Sequence, residues 1–167
     1  YYILSERKQN KKIDKRAPVI VGVGDLVDRS KEDGLNPQEL LAKACEHAIQ
    51  DSGIEGLNKH IDYIGVVRFT VDFLTATNQS NFQYSNFPRT LANKLDISTK
   101  HEVYAPMGGN SPQVLLEDAL VKISAGETNC ALLTGGEALQ TMIAKLKAGK
   151  SLDWLDEPGG SPEMIGN

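Results

Sequence analysis

The sequence predicts an α/β domain built on a mainly parallel sheet with flanking helices. Four short runs of aliphatic and β-branched residues alternate with segments in which apolar residues recur at the helical spacing. Strands and helices that alternate along a chain are typical of parallel strands joined by right-handed crossovers. The chain has 167 residues, of which 40% are hydrophobic, and this is enough for one domain with a buried core.

Composition and charge exclude several classes of protein. Residues 1–16 contain six Lys and Arg residues against two acidic ones, a net charge of +4; the whole chain carries −4, which leaves −8 for the remainder. We interpret 1–16 as a solvated basic extension, and no basic stripe interleaved with aromatic residues predicts nucleic-acid binding. No apolar run reaches the ~20 residues of a membrane span. Cys45 and Cys130 predict two buried thiols in a reducing compartment, so we expect a cytoplasmic protein.

The first predicted strand, residues 17–23, is a nearly continuous apolar run of the kind that is buried on both faces of a sheet. Two glycines at its end raise nucleotide binding as an alternative. A dinucleotide fingerprint would need glycine where Val27 stands, Asp25 would repel a pyrophosphate, and the next helix begins only after Asn36. Nucleotide binding is therefore disfavoured.

The elements that follow are predicted from capping residues and from periodicity. Asn36 followed by Pro37 predicts the start of a helix over 37–52, and Gly53 predicts its end. Further strands are predicted at 61–69, 100–105 and 129–134, and further helices at 86–95, 111–125 and 138–148. The polar stretch 70–85 is a long loop that either lines a pocket, crosses a subunit interface or forms a surface excursion.

The stretch 104–137 is the candidate functional segment. A turn joins the strand 100–105 to the helix 111–125 and brings backbone N–H groups to one exposed point, which suits an anion or a nucleophile. We interpret its two adjacent glycines as a tight turn with positive φ, and the broad apolar face of the helix predicts substantial burial. Ser111 followed by Pro112 predicts the N-cap of that helix. The candidate binding residues are Met107, Gly108, Gly109, Asn110 and Ser111.

Familiar catalytic spacings are absent from the sequence. It contains no zinc-ligand spacing, P-loop or HExxH motif, so no metal site is predicted. The three histidines are isolated. We interpret His47 as a solvated or locally hydrogen-bonded side chain, and His101 as a structural residue with no carboxylate or cysteine at a spacing that would pair with it. Residue chemistry alone thus predicts a β/α domain with a single candidate site.

Several stretches, in order along the chain, carry a resemblance to a known family. They are PVIVGVGDLVDR at 18–29, the helix PQELLAKACEHAIQDSG, the strand IDYIGVVR, NFPRTLANKLDI, and the segment that ends in AGETNCALLTGGEA. Over residues 17–167 the sequence resembles the N-terminal half of the thiolase superfamily, and most closely the subgroup of sterol-carrier-protein-type thiolase-like proteins and acetyl-CoA acetyltransferases. The tail LDWLDEPGGSPEMIGN resembles the start of that subgroup's loop domain, so we expect a chain that is cut short there.

The resemblance implies a five-layer αβαβα fold. Residues 17–148 would form its N-terminal α/β domain, in the order βαβαβαβ, and 149–167 the start of the loop domain. It also implies a thiolase-type acyltransferase of lipid metabolism that takes an acyl-CoA and no further cofactor, with the peroxisome as an alternative compartment. The implied partners are a second copy that pairs through the strand 100–105, or the missing C-terminal half.

In family members that catalyse acyl transfer, a cysteine at the turn attacks the thioester. With Glu137 as the anchor and Gly126 on the family's helix-end glycine, that position is Gly109 in this sequence. Glycine cannot form an acyl-enzyme, and Cys45 and Cys130 lie in other elements, so the covalent mechanism is not expected. Three hypotheses remain open: acyl-CoA binding without a cysteine nucleophile, a non-catalytic scaffold or regulatory subunit, and the disfavoured nucleotide-binding domain.

Overall fold

The computed structural model describes residues 14–70, 72, 84–154, 156 and 158–166. Helices and strands alternate along them, and a short 3-10 helix at Leu57–Lys59 precedes the first strand. In chain order they are α1 (Pro37–Asp51), β1 (Tyr63–Val67), α2 (Phe87–Lys94), β2 (His101–Ala105), α3 (Ser111–Ala125), β3 (Ala131–Thr134), α4 (Leu139–Lys147) and β4 (Glu163–Met164). No helix within the described residues is long and apolar enough to cross a membrane.

The sheet has the strand order β3-β1-β2-β4, and every neighbouring pair is parallel. In the central strand, Val66 lies opposite Tyr104 of β2 and Thr134 of β3. The predicted α/β class with a mainly parallel sheet is therefore confirmed.

Helices cover both faces of the sheet because successive side chains of β1 point to opposite sides. Ile64 and Val66 belong to the larger buried cluster, together with residues of α1 and α2. Tyr63 belongs to the smaller cluster, together with Leu115 and other residues of α3. Gly65 is needed at this contact because a Cβ there would lie 2.7 Å from Leu115 Cδ1.

The predicted helix ends are confirmed where a cap decides them. The Asn36 side chain accepts a hydrogen bond from Glu39 N at 2.9 Å, and Glu39 Oε2 accepts one from Asn36 N at 3.1 Å, which is a capping box. Gly126 ends α3 with φ of 77°, a conformation that favours glycine. Ser111, however, is the first residue of α3 rather than its N-cap; Asn110 is the cap, without a side-chain hydrogen bond to the helix.

The prediction of a buried strand at 17–23 is wrong. This segment forms no strand, and Val19 and Ile20 are 75% and 80% exposed. It follows the outer side of α1, where Val23 N donates to Asp51 Oδ2 at 2.9 Å. A Cβ at Gly22 would collide with the carbonyl oxygen of Ala48, so the missing side chain allows the backbone to lie directly on the helix. The described part of the chain thus opens with a helix, not with the first strand of βαβαβαβ.

The prediction that the broad apolar face of α3 is largely buried is only partly right. Leu115 and Ala119 face the sheet and are 1% and 2% exposed. Leu116, Leu120 and Val121 are 38%, 37% and 62% exposed, because the sheet covers one side of the helix and no described element covers the other.

Two predicted segments fall largely outside the described residues. Of the basic extension 1–16, residues 14–16 are described; of the loop 70–85, residues 70, 72, 84 and 85 are described. The predicted roles of that loop therefore stay predictions.

A buried carboxylate joins the amino-terminal ends of the strands. Asp62 Oδ1 accepts hydrogen bonds from Thr128 Oγ1 at 2.9 Å and from Asn129 N at 3.0 Å, and Lys100 Nζ lies 2.9 Å from Asp62 Oδ2. Burial disfavours the charged form, but the hydrogen bonds from Lys100, Asn129 and Thr128 outweigh it and hold the pKa of Asp62 well below its usual range. Asp62 therefore has a structural role: it connects the segments that lead into β1, β2 and β3 at the amino-terminal end of the sheet.

Candidate functional site

A cavity of about 630 Å³ opens at the carboxyl ends of β1, β2 and β3. This is the edge of an α/β sheet at which ligands usually bind. The walls come from the ends of these strands, from the turns that follow them and from the first turns of α3. The lining residues are Val67, Arg68, Phe69, Met107, Gly108, Gly109, Pro112, Leu115, Leu133, Thr134, Gly135, Gly136 and Glu137.

Three of the five predicted binding residues line this cavity, namely Met107, Gly108 and Gly109. Asn110 is exposed beside it, and Ser111 is buried beneath the start of α3, so neither forms part of the wall. The difference follows from the turn geometry: Ser111 N donates to Gly108 O at 3.1 Å and is thereby drawn into the first turn of the helix.

The predicted positive φ at the two adjacent glycines is wrong. Neither Gly108 nor Gly109 has a left-handed backbone conformation. A Cβ built on Gly109 meets no atom within 4 Å. Neither the backbone conformation nor the neighbouring atoms therefore require glycine at position 109, and a side chain would fit there.

The N-terminal end of α3 lies at the cavity, and the helix dipole favours negative charge there. Ser111 N and Gln113 N already donate to backbone oxygens, and Pro112 has no N–H group. Within the described residues the amides of Gly109 and Asn110 donate to no backbone or side-chain oxygen. Of the two, Gly109 lines the cavity, so its amide is the donor that the turn offers to a ligand oxygen there.

Arg68 is a cationic residue of the cavity wall, and its guanidinium group contacts Asp72 and Tyr104. Its Nε lies 3.2 Å from Asp72 Oδ2, and its guanidinium carbon lies 4.6 Å from the centre of the Tyr104 ring. The Tyr104 hydroxyl donates to the same Asp72 oxygen at 3.0 Å. Burial and the charge of Asp72 raise the pKa of Tyr104 above its usual range, so the phenol stays neutral and keeps donating.

Glu137 connects two of the turns that form the cavity. Its Oε1 accepts hydrogen bonds from Thr70 N at 2.7 Å and from Thr70 Oγ1 at 2.6 Å. The turn after β3 is thereby tied to the segment after β1. The glycines before it allow close packing, since a Cβ on Gly135 would lie 3.2 Å from Val67 Cβ.

The cysteines and the two interpreted histidines lie away from the cavity. Cys45 is buried in the larger cluster, and burial raises the pKa of its thiol to about 11; burial also raises the pKa of half-buried Cys130. His47, predicted to be solvated or locally hydrogen-bonded, is exposed, and its Nδ1 is hydrogen-bonded to Asp25 O at 2.9 Å. His101 does have a carboxylate partner, Glu163 at 2.8 Å, which spacing did not reveal because β4 brings it there from 62 residues away. The described residues also contain no metal-ligating cluster.

The chain aligns with the crystal structure of a monomeric SCP2-thiolase like protein type 1 from Mycobacterium smegmatis, with a TM-score of 0.56. The sequence identity is 30%, over 74% of this chain and 24% of that chain. The chain has a thiolase-like fold. No family model matches the sequence, and no curated protein matches it.

The thiolase-like fold confirms the coarse part of the resemblance, while the placement of Gly109 at the nucleophile position stays a prediction. Arg68, Phe69 and Glu137 line the cavity but were not among the predicted site residues. One signal could have found them: Arg68 and Phe69 end the strand predicted at 61–69, Glu137 follows the one predicted at 129–134, and ligands of parallel sheets bind at the carboxyl ends of the strands.

Proposed function

We propose that the chain binds the acyl or pantetheine part of an acyl-CoA in the cavity at the carboxyl ends of the strands. The observation that carries this proposal is the cavity of about 630 Å³, which combines apolar walls with Arg68 and the turn before α3. Apolar walls with a few convergent polar groups are typical of small-molecule sites. The thiolase-like fold, shared with a protein described as SCP2-thiolase like, supports this class of ligand over others.

The proposed site acts without a cysteine nucleophile. No cysteine or histidine is among the residues that line the cavity, so the described residues offer no acyl-enzyme and no imidazole base there. The amide of Gly109 would donate to the thioester carbonyl oxygen, and the N-terminus of α3 would favour the partial negative charge on it. The site would thus bind and polarise the thioester. This proposal follows the resemblance of the sequence to acetyl-CoA acetyltransferases.

Isothermal titration of the chain with CoA, acetyl-CoA and a medium-chain acyl-CoA tests this proposal. Gly109→Leu places a side chain in the cavity at a position where the backbone tolerates one. Ser124→Leu, at an exposed position near the other end of α3, is the matched control. We expect acyl-CoA binding in the wild type and in Ser124→Leu, and its loss in Gly109→Leu. Equal binding by both variants, or heat with NAD or ATP alone, would contradict the proposal.

A non-catalytic scaffold or regulatory subunit is the second candidate. It is favoured by the absence of cysteine and histidine from the cavity wall and by the exposed apolar side of α3, where Leu116, Leu120 and Val121 lie. The proposed partner is a polypeptide that supplies the second half of a thiolase fold. Co-purification with a cysteine-bearing thiolase-like protein, lost on Leu120→Lys and kept on Glu127→Lys, would support this candidate; no acyl-CoA binding is required for it.

A further inference from the structure

Arg68 brings charged hydrogen-bond donors to a cavity whose walls are otherwise largely apolar. It follows β1 directly, and its backbone N–H donates to Ala105 O at 3.0 Å, which continues the pairing of β1 with β2. Among the described residues that line the cavity, Arg68 is the only cationic one and Glu137 the only acidic one. The guanidinium group therefore decides which charged ligand group the cavity can bind.

Two buried side chains fix the position of this guanidinium. Asp72 and Tyr104 are each 1% exposed; the first forms an ion pair with Arg68 Nε, and the ring of the second lies against the guanidinium carbon. Asp72 is itself held, because Tyr84 N donates to its Oδ1 at 3.1 Å and the Tyr104 hydroxyl donates to its Oδ2 at 3.0 Å. A guanidinium that is positioned in advance loses little conformational freedom when a ligand binds.

The contacts with Asp72 and Tyr104 do not use all the donors of Arg68. A guanidinium carries five N–H groups, and the ion pair with Asp72 is made through Nε, at one edge of the group. Even this Nε, which is shielded from solvent, has no aligned hydrogen-bond acceptor within the described residues. Because 28% of the side chain is exposed and the residue lines the cavity, a ligand can reach the edge formed by Nη1 and Nη2.

The shape and charge of that edge favour a carboxylate. Two parallel N–H groups match the two oxygens of a carboxylate and bind them by charge-assisted hydrogen bonds. A methyl group at the same place would desolvate the guanidinium without replacing its hydrogen bonds to water. A diphosphate carries more negative charge than one Arg residue balances, and Glu137 lies in the same wall. The wall is thus suited to a single carboxylate rather than to an apolar end or a diphosphate.

The acidic groups near Arg68 leave this site open to an anion. Glu137 is exposed, so solvent screens its charge, and its Oε1 accepts both hydrogen bonds from Thr70. Asp72 is not among the residues that line the cavity, and its carboxylate already has three donors around it. The N-terminal end of α3, which also lies at the cavity, adds a potential that favours negative charge.

We propose that the cavity selects acyl-CoA molecules whose acyl chain ends in a carboxylate, and that Arg68 binds this carboxylate. The inference rests on the proposed acyl-CoA binding and names the class of acyl group. The Gly109 amide would donate to the thioester carbonyl oxygen at one end of the acyl group, and Arg68 would bind the other end. The methylene groups between them would contact apolar residues of the wall such as Leu115 and Leu133.

Isothermal titration of the full chain with adipoyl-CoA and hexanoyl-CoA tests the selection. The two acyl groups have the same number of carbons and differ only in a carboxylate that replaces the terminal methyl group. Succinyl-CoA and butyryl-CoA repeat the comparison with a shorter chain. The ratio of the two dissociation constants within each pair measures the preference for a carboxylate.

Four variants assign the preference to a residue. Arg68→Met removes the guanidinium, and Arg29→Met makes the same change of charge at an exposed position outside the cavity wall, so it is the matched control. Arg68→Lys keeps the charge without the planar pair of donors. The double variant Arg68→Met/Asp72→Asn also removes the buried carboxylate that Arg68→Met leaves without its cation. Fluorescence of buried Trp154 reports that each variant is folded.

In the wild type and in Arg29→Met we expect the carboxylate-ended ligand of at least one pair to bind about tenfold or more tightly than its partner, as for hydrogen bonds to a charged group. In Arg68→Met and in the double variant the ratio should fall to about two or less, because these hydrogen bonds are lost. Arg68→Lys should give an intermediate ratio.

Four outcomes would overturn the inference. Equal affinity within both pairs in the wild type would do so while leaving acyl-CoA binding intact, whereas no binding of any of the four ligands would overturn the proposed function as well. A preference that persists in folded Arg68→Met and in the double variant would assign the carboxylate to another residue. Equal weakening of both ligands of a pair by Arg68→Met would place Arg68 on the pantetheine or the phosphates, which all four ligands share.

Discussion

A cysteine at position 109 should behave as a thiol at the N-terminus of a helix. In Gly109→Cys the new Cβ meets no atom within 4 Å, and the backbone is outside the left-handed region. We therefore expect a change in the free energy of unfolding of less than about 0.5 kcal/mol, as for an unstrained surface substitution. The thiol would lie two residues before α3, where the dipole favours the thiolate.

The size of the effect follows from the helix dipole. A negative charge at a helix N-terminus is stabilised by about 0.3–1 kcal/mol, and one at the C-terminus is destabilised by a similar amount. Ser124→Cys, exposed in the last turn of α3, is therefore the matched control. The thiolate fraction, and with it the alkylation rate near neutral pH, should differ between the two variants by about 3- to 30-fold.

The assay is alkylation by iodoacetamide, followed by intact-mass spectrometry. Background is low because burial raises the pKa of both native thiols, that of Cys45 to about 11. Acetyl-CoA should slow alkylation of Gly109→Cys and leave Ser124→Cys unchanged, and denaturation should make the two rates equal. Equal alkylation rates of the two folded variants would contradict the position of residue 109 at a helix N-terminus. They would also contradict the alignment that puts Gly109 at the nucleophile position of thiolases.

Three further predictions concern the framework of the site and of the sheet. Asp62→Asn should lower the free energy of unfolding by about 2–3 kcal/mol near neutral pH, because buried donors lose a charged acceptor. The pKa of Asp62 is depressed in the folded state, so this carboxylate contributes to the free energy of unfolding above about pH 4 and loses that contribution at lower pH. Denaturant titrations should therefore show that the free energy of unfolding falls less steeply with decreasing pH in the variant than in the wild type. Gly65→Val should destabilise the fold by about 1–3 kcal/mol through its contact with Leu115, and an unchanged urea midpoint would contradict the close packing of α3 on β1. Glu137→Ala should raise exchange of the Thr70 amide by about 5- to 10-fold through the loss of a hydrogen bond worth about 1–1.4 kcal/mol, whereas Glu127→Ala should not.

Local signals were sufficient for most of the elements. Asn36 followed by Pro37, and Gly126 after α3, mark helix ends because a cap depends on residues within one turn of the chain. The alternation of aliphatic strands with amphipathic helices was enough for a parallel α/β sheet, since burial on both faces requires continuous apolar strands. The resemblance to thiolases was enough for the fold, which the structural match confirms.

The sequence by itself thus determined the class of fold, the order of its described central elements and the turn that borders the cavity. Tertiary structure alone decided where the apolar run at 17–23 lies, because a β-branched pattern shows that a segment can pair but not whether a sheet edge receives it. It also decided that Arg68 and Glu137 meet Gly109 at one cavity and that Glu163 meets His101, because these contacts join residues far apart in the chain. It also decided that the backbone at Gly109 is not left-handed, because glycine can adopt either sign of φ and its residue type does not choose between them.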